Sequence, residues 1–161
     1  MKQNTPAALD RLDIRILNVL QRSVTLSTAE IAEQVGTATA TCWRRIQRLE
    51  REGVIRSRVA LLNREKVGLD LMVFAHVKLE NHGREALGRF EHAVRDRPEV
   101  LECYTLLGEQ DFLLRIVTRD IKTYEAFFLD YLSRIPGLQS VGSSIALSII
   151  KETTVLPLAA G

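Results

Sequence analysis

The chain has 161 residues, enough for one ordinary domain or two small ones. With 46% hydrophobic and 26% charged residues, its composition is that of a globular protein, not a disordered or fibrous one. No apolar run approaches the roughly 18 residues of a membrane span, and the start, MKQNTPAALDRLD, has no apolar signal region, so neither a membrane segment nor a secretory leader is expected. Cys42 and Cys103 lie far apart without CxxC spacing, which suits an intracellular chain with reduced thiols. The net charge of +2 is unevenly spread. Residues 1–63 carry ten Lys/Arg against six Asp/Glu, residues 64–161 twelve against fourteen. A basic first third on a slightly acidic remainder predicts two modules, one of them facing a polyanion.

In chain order, Leu12, Ile16, Val19 and Leu20 recur at the spacing of an amphipathic helix. Ser27-Thr28-Ala29-Glu30 is a capping box that starts a short second helix, with Ile31 and Val35 inward and Gly36 at its end. A third helix is predicted from Thr39 to Glu52, closed by Gly53 and followed by a strand-like wing, Val-Ile-Arg-Ser-Arg-Val. On a helical wheel Cys42, Ile46 and Leu49 share one narrow face. Arg44, Gln47, Arg48 and Arg51 point roughly the other way, with Trp43 and Arg45 on the flanks. Residues 44–58 hold six arginines and no lysine. Guanidinium forks suit phosphates and guanine edges better than an ammonium does. Short helix, glycine turn, arginine-faced helix and wing together predict a winged helix-turn-helix with the third helix in the major groove.

Residues 63–70 (NREKVGLD) read as a connector. Beyond them LMVFAHVKLE alternates, with Leu71, Val73, Ala75, Val77 and Leu79 on one face. A helix over 84–96 follows, with Leu87, Phe90 and Val94 inward. Next come the strand VLECYTLL, a GEQD turn and the strand FLLRIVT. A helix over 121–135 carries Tyr124, Phe127, Phe128, Tyr131 and Ile135, and the last strand is SSIALSIIK. The order β-α-β-β-α-β is the ferredoxin-like arrangement. The sheet face away from the helices would carry Met72, Phe74, His76, Tyr104, Leu113, Val117 and Ile150. That is too apolar for open solvent and predicts a homodimer through the sheet. The fold class is therefore α+β. The expected layout is a DNA-binding domain over 1–62, a hinge over 63–70 and a ferredoxin-like domain over 71–161.

His76, His82 and His92 complete no metal-ligand set, and no phosphate loop, nucleophile elbow or carboxylate pair is visible, so an enzyme is not expected. In Gly108-Glu109-Gln110-Asp111 the turn's N–H groups could take a carboxylate and Asp111 an ammonium. An ordinary hairpin turn explains the same residues.

With both modules in view, the chain resembles the Lrp/AsnC (feast/famine) family of transcriptional regulators from Leu9 to Leu158. The resemblance is carried by LDRLDIRILNVLQ, CWRRIQRLEREGVI, VALLN, ECYTLLGEQDFLLRI and SSIALSIIKETTVLPL, in that order. It implies that the third helix is the recognition helix, with Thr39, Thr41, Trp43, Arg44, Arg45 and Arg48 as DNA contacts. Arg44 and Arg48 would lie at base edges or nearby phosphates, and Arg45 at the backbone or in packing. Ser27 and Thr28 would offer donors to a phosphate. Many relatives carry Ser-Pro-Thr-Pro-Cys where this chain has Ala38-Thr39-Ala40-Thr41-Cys42, so Thr39 or Thr37 is expected to cap the helix.

The second module resembles the family's amino-acid-sensing domain. That implies a homodimer assembled into an octamer or similar ring. It also implies a free amino acid held by Leu107, Gly108, Glu109, Gln110 and Asp111 with Ser143 and Ser144. No cofactor beyond that effector and no metal is implied. The ending is most similar to local regulators of amino-acid catabolism. The function implied is a cytoplasmic, sequence-specific regulator of double-stranded DNA that responds to a free amino acid, acting on amino-acid metabolism genes and its own promoter. A DNA-architectural protein that wraps DNA without an effector is the alternative.

Overall fold

The computed structural model describes residues 7–159. They form two compact units, one of residues 7–61 with 151–159, the other Leu62–Ile150.

The first unit is built on α1 (Arg11–Leu20), α2 (Thr28–Gln34) and α3 (Thr39–Arg51). Asp10 caps α1, accepting from the Asp13 N–H at 2.9 Å while the Asp13 carboxylate takes the Asp10 N–H at 3.1 Å. Ser27 and Glu30 repeat the device at α2. Gly36, at φ 64°, lets the Thr37 N–H return to the Ala32 carbonyl at 2.9 Å and turns the chain into α3. Ile16, Leu20, Ile31, Ala32, Val35, Cys42 and Ile46 form the core, with Leu12, Val19, Leu26 and Ile55 at its edge. The cap of α3 differs from expectation. Its N-cap is Ala38, which offers no side-chain bond, because the turn from α2 puts Thr37 and Thr39 on either side of the capping position. The wing differs too. Among the described residues no strand lies between Glu52 and Asp70, and the strand-like run finds no second strand there to pair with. Gly53, at φ 71°, ends α3, and the Ile55 N–H returns to the Leu49 carbonyl at 3.1 Å.

The second unit is a four-stranded antiparallel sheet in the order β2-β3-β1-β4, with β1 (Leu71–Leu79), β2 (Val100–Thr105), β3 (Phe112–Thr118) and β4 (Leu138–Ile145). α4 (Arg84–Arg95) and α5 (Ile121–Asp130) cover one face, and a 3-10 turn, Leu132–Arg134, finishes the span expected as a single helix. Val73, Ala75, Val77 and Leu79 are buried against Phe90, Val94, Tyr124, Phe127 and Ile135, with the Phe90 and Phe112 rings 4.5 Å apart. The connector is a compact turn, in which Arg64 Nη1 donates to the Leu69 and Asp70 carbonyls at 2.9 and 2.7 Å.

Other boundaries move as well. β4 runs over Leu138–Ile145, not over SSIALSIIK, because β1 gives it partners only from Val73 to Leu79; Ile150 therefore lies beyond the sheet. Residues 151–159, placed by sequence with the sheet, belong to the first unit. There the tail backbone finds hydrogen-bond partners in the α1 segment, at Asn18 and Gln21.

Candidate nucleic-acid interface and effector site

α3 has a sharply divided surface. Cys42, Ile46 and Leu49 are buried, as the wheel placed them, and burial pushes the Cys42 thiol pKa up. Opposite them Trp43 is 58% exposed, and Arg44, Gln47 and Arg51 are exposed as well. Thr39 is exposed at the first turn and Thr41 half-buried. Arg44 and Arg51 enter no ion pair among the described residues. This leaves an indole and two free guanidiniums on one helical face, groups that suit phosphates and base edges.

Arg45 and Arg48 are held differently. Asp13 is buried in α1. It accepts from Arg45 Nη1 at 2.9 Å and from Arg48 Nη2 at 2.5 Å. Arg45 also donates to Asp10. That bond and the Asp13 N–H hold the Asp10 carboxyl below its ordinary pKa, and Asp10 and Asp13 push the Arg45 pKa up. Ser27 is engaged as well. Its N–H and hydroxyl both reach Glu30 Oε2 at 2.7 Å, leaving half-buried Thr28 beside it.

The β2–β3 turn is organised by Asp111. Its carboxylate accepts the Leu79 N–H at 2.8 Å and lies 3.1 Å from His82 Nε2, while its own N–H donates to the Val77 carbonyl at 2.9 Å. Its carbonyl accepts the Leu106 N–H at 2.8 Å. Leu107, Gly108 and Glu109 project outward, Leu107 with no cover at all, and Gln110 is half-buried. A Cβ on Gly108 would meet nothing within 4 Å, so the turn's crest is open.

Residues 9–56 match a winged helix-turn-helix DNA-binding domain, and residues 72–156 match the Lrp/AsnC ligand binding domain. The chain belongs to the Lrp/AsnC family. It is similar to the DNA-binding transcriptional activator DecR of Escherichia coli, at 41% identity over 93% of this chain and 99% of that protein. It is also similar to an AsnC family transcriptional regulator from Agrobacterium tumefaciens, whose crystal structure is 45% identical with a TM-score of 0.88, over 92% of this chain and 97% of that one. A Neisseria meningitidis transcriptional regulator crystallised with L-Met is 40% identical with a TM-score of 0.88, over 92% and 96% of the two chains. This Lrp/AsnC chain is thus a DNA-binding transcriptional regulator with a ligand-binding domain, and not an enzyme.

Within one Lrp/AsnC chain, Ser143 and Ser144 stand apart from the turn. They pair with Ala75 and Phe74 on the β4 side of β1, whereas Asp111 bonds to Val77 and Leu79 from the β3 side, farther along the strand. The Ser143 hydroxyl faces α5, 2.5 Å from the Tyr124 hydroxyl, and Ser144 shares its face with Phe74. Beside Phe74, His76, Tyr104 and Leu113, the open face carries a polar group that composition had hidden. Glu102 accepts from Arg115 at 2.6 Å and from the Tyr104 hydroxyl at 2.9 Å, and its carboxyl lies below its ordinary pKa mainly because of Arg115. Gln47, Asp13 and His82 are the residues sequence reasoning left unassigned. Asp10 and Asp13 carried no reading in the sequence, and nothing in it joined Asp13 to α3 or His82 to Asp111. An open cleft of about 550 Å³ lies between α4 and the 3-10 turn, lined by Ala93, Tyr131 and Ile135, and includes no residue of the 108–111 turn.

Proposed function

We propose that this regulator lays α3 in the major groove of double-stranded DNA and changes promoter occupancy when a free amino acid binds at the Gly108–Asp111 turn. The observation that carries the reading is the division of α3. A stripe buried by Cys42, Ile46 and Leu49 presents Trp43, Arg44 and Gln47 outward as one rigid face. Thr28, Thr39 and Thr41 are assigned to flanking phosphates, and Ser27 acts there through the capping box. Arg45 and Arg48 border the same face, their guanidiniums engaged by Asp13.

The L-Met complex of the Neisseria relative supports an amino acid as the effector class. In the turn, the outward N–H groups would take its carboxylate and Asp111 its ammonium. Ser143 and Ser144, distant within one chain, would join such a site from another copy. The open sheet face, with Phe74, His76, Tyr104 and Leu113, is assigned to a homodimer that assembles further, with an octamer as the expected ring. The protein acts in the cytoplasm, on amino-acid metabolism genes and its own promoter.

The test is fluorescence anisotropy on DNA upstream of its own gene, with excess nonspecific competitor, under a panel of the twenty amino acids. Competitor-resistant binding that shifts with one or two amino acids is expected. Binding lost to competitor would refute sequence-specific regulation, and a response to none of the twenty would refute the effector reading.

A further inference from the structure

The wheel places Arg48 near the exposed face of α3, yet its guanidinium turns back to α1. Arg48 Nη2 lies 2.5 Å from Asp13 Oδ2, and its Nε is buried, 3.8 Å from the Glu52 carboxylate. Arg45 Nη1 reaches the other oxygen of the same carboxylate at 2.9 Å. The side chain of Asp13 is only 1% exposed, and its backbone is fixed in the first turn of α1 by the Asp10 capping box. One immobile carboxylate therefore fixes two of the four arginines of α3. A buried carboxylate with two guanidiniums and a backbone N–H is fully satisfied, whereas the same carboxylate stripped of them would be a costly buried charge. The arrangement is thus strongly self-enforcing.

We propose that Asp13 is a positioning residue for DNA recognition. By holding Arg45 and Arg48 against α1, it sets the rotation of α3 and keeps two mobile cations off the phosphates, so that discrimination between sequences rests on Trp43, Arg44 and Gln47. Long guanidiniums free to swing would meet any phosphate within reach. That raises affinity for all DNA alike and lowers the contrast between sites. Fixed guanidiniums add a constant field without competing for register. The inference rests on α3 being the DNA-reading element.

The experiment uses the full-length chain and a duplex selected by the wild-type protein from a random pool, with poly(dI-dC) as nonspecific DNA. Asp13→Asn is expected to lower the specific-to-nonspecific affinity ratio tenfold or more while nonspecific affinity holds or rises. The salt slope on nonspecific DNA should steepen by about 0.9 for each phosphate that a freed arginine gains. Specific and nonspecific affinity falling together would mean a merely structural role and overturn the proposal, as would an unchanged ratio. Should Asp13→Asn not fold, Arg48→Ala decides. A lower specific-to-nonspecific ratio with an unchanged salt slope on nonspecific DNA is expected; a loss concentrated at one base pair would overturn the proposal by making Arg48 a base reader, and a shallower salt slope would overturn it by making Arg48 a phosphate contact. Arg44→Ala separates the two levels. If it leaves binding intact, the reading of α3 fails; if it weakens binding while Asp13→Asn leaves the ratio unchanged, only the positioning role fails.

Discussion

Gln21 and Leu156 hold each other through both amide functions. The Gln21 side-chain nitrogen donates to the Leu156 carbonyl at 2.9 Å, and the Leu156 N–H donates to Gln21 Oε1 at 2.9 Å. Asn18 adds a longer bond of 3.5 Å to the Leu158 carbonyl. The tail thereby joins the helical unit by backbone chemistry that any residue at position 156 except proline could supply, so no side-chain pattern advertises it. Both bonds are solvent-exposed, and Gln21→Ala is expected to destabilise the first unit by about 1 kcal/mol. Trp43 is the single tryptophan and lies in that unit, so its fluorescence follows this transition. An unchanged urea midpoint, in Gln21→Ala and in a chain ending at Ile150, would show that the tail contributes no stability.

The two helices that flank the turn start differently, and this predicts opposite responses to substitution. Ser27 caps α2 by accepting the Glu30 N–H, so Ser27→Ala should cost about 1 kcal/mol. Ala38 caps α3 with an extended backbone, φ −71° and ψ 142°, and no side-chain oxygen. A serine there finds the correct backbone already in place, and Ala38→Ser should stabilise the unit by about 0.5–1 kcal/mol. A lower midpoint for Ala38→Ser would show that the first N–H groups of α3 are already satisfied in another way.

What the sequence made legible was whatever repeats along an element. The 42/46/49 stripe of α3 and the alternation from Val73 to Leu79 both survive in the structure, because burial on one face leaves a periodic trace. What escaped depends on a partner distant in sequence. β4 stops at Ile145 because β1 pairs with it no further than Val73, while its apolar run continues to Ile150. The wing has strand composition and no ladder. Asp13 belongs to no periodic pattern, and its role shows only when α3, more than thirty residues later, brings two guanidiniums to it. At the candidate effector site the open crest at Gly108 was readable, but the engagement of Asp111 by Leu79 and His82 was not, since those contacts come from β1 and the loop after it.

Acid should weaken the helical unit in a defined window. Asp10 is held below its ordinary value of 3.8 chiefly by the Arg45 hydrogen bond, and Glu30 below 4.5 by the Ser27 hydroxyl and N–H. Between the ordinary and lowered values the unfolded chain binds protons that the folded chain refuses, so stability falls as pH falls. This contribution is complete above the ordinary values and lost as pH drops through the folded ones. The Trp43-monitored midpoint should therefore be flat from neutrality to about pH 5 and decline below it. Asp10→Asn should flatten part of that decline. A midpoint that holds constant to about pH 3 would contradict the lowered values.

Asp111 carries a structural duty and the proposed effector contact on one carboxylate, and two substitutions separate them. Leu79 is 1% exposed, so its N–H depends on Asp111 Oδ2. Asp111→Ala orphans that donor and should cost the sheet unit about 1–3 kcal/mol, confounding any loss of response with a loosened β1 end. Asp111→Asn keeps a carbonyl oxygen for Leu79 while removing the charge that would meet an ammonium. Its sheet unit should therefore melt within about 1 kcal/mol of the parent, while the amino-acid shift in DNA anisotropy disappears and basal DNA binding persists. A normal amino-acid response in Asp111→Asn, with the fold intact, would assign the ammonium to some other group and leave Asp111 as the clasp between the β2–β3 turn and the end of β1.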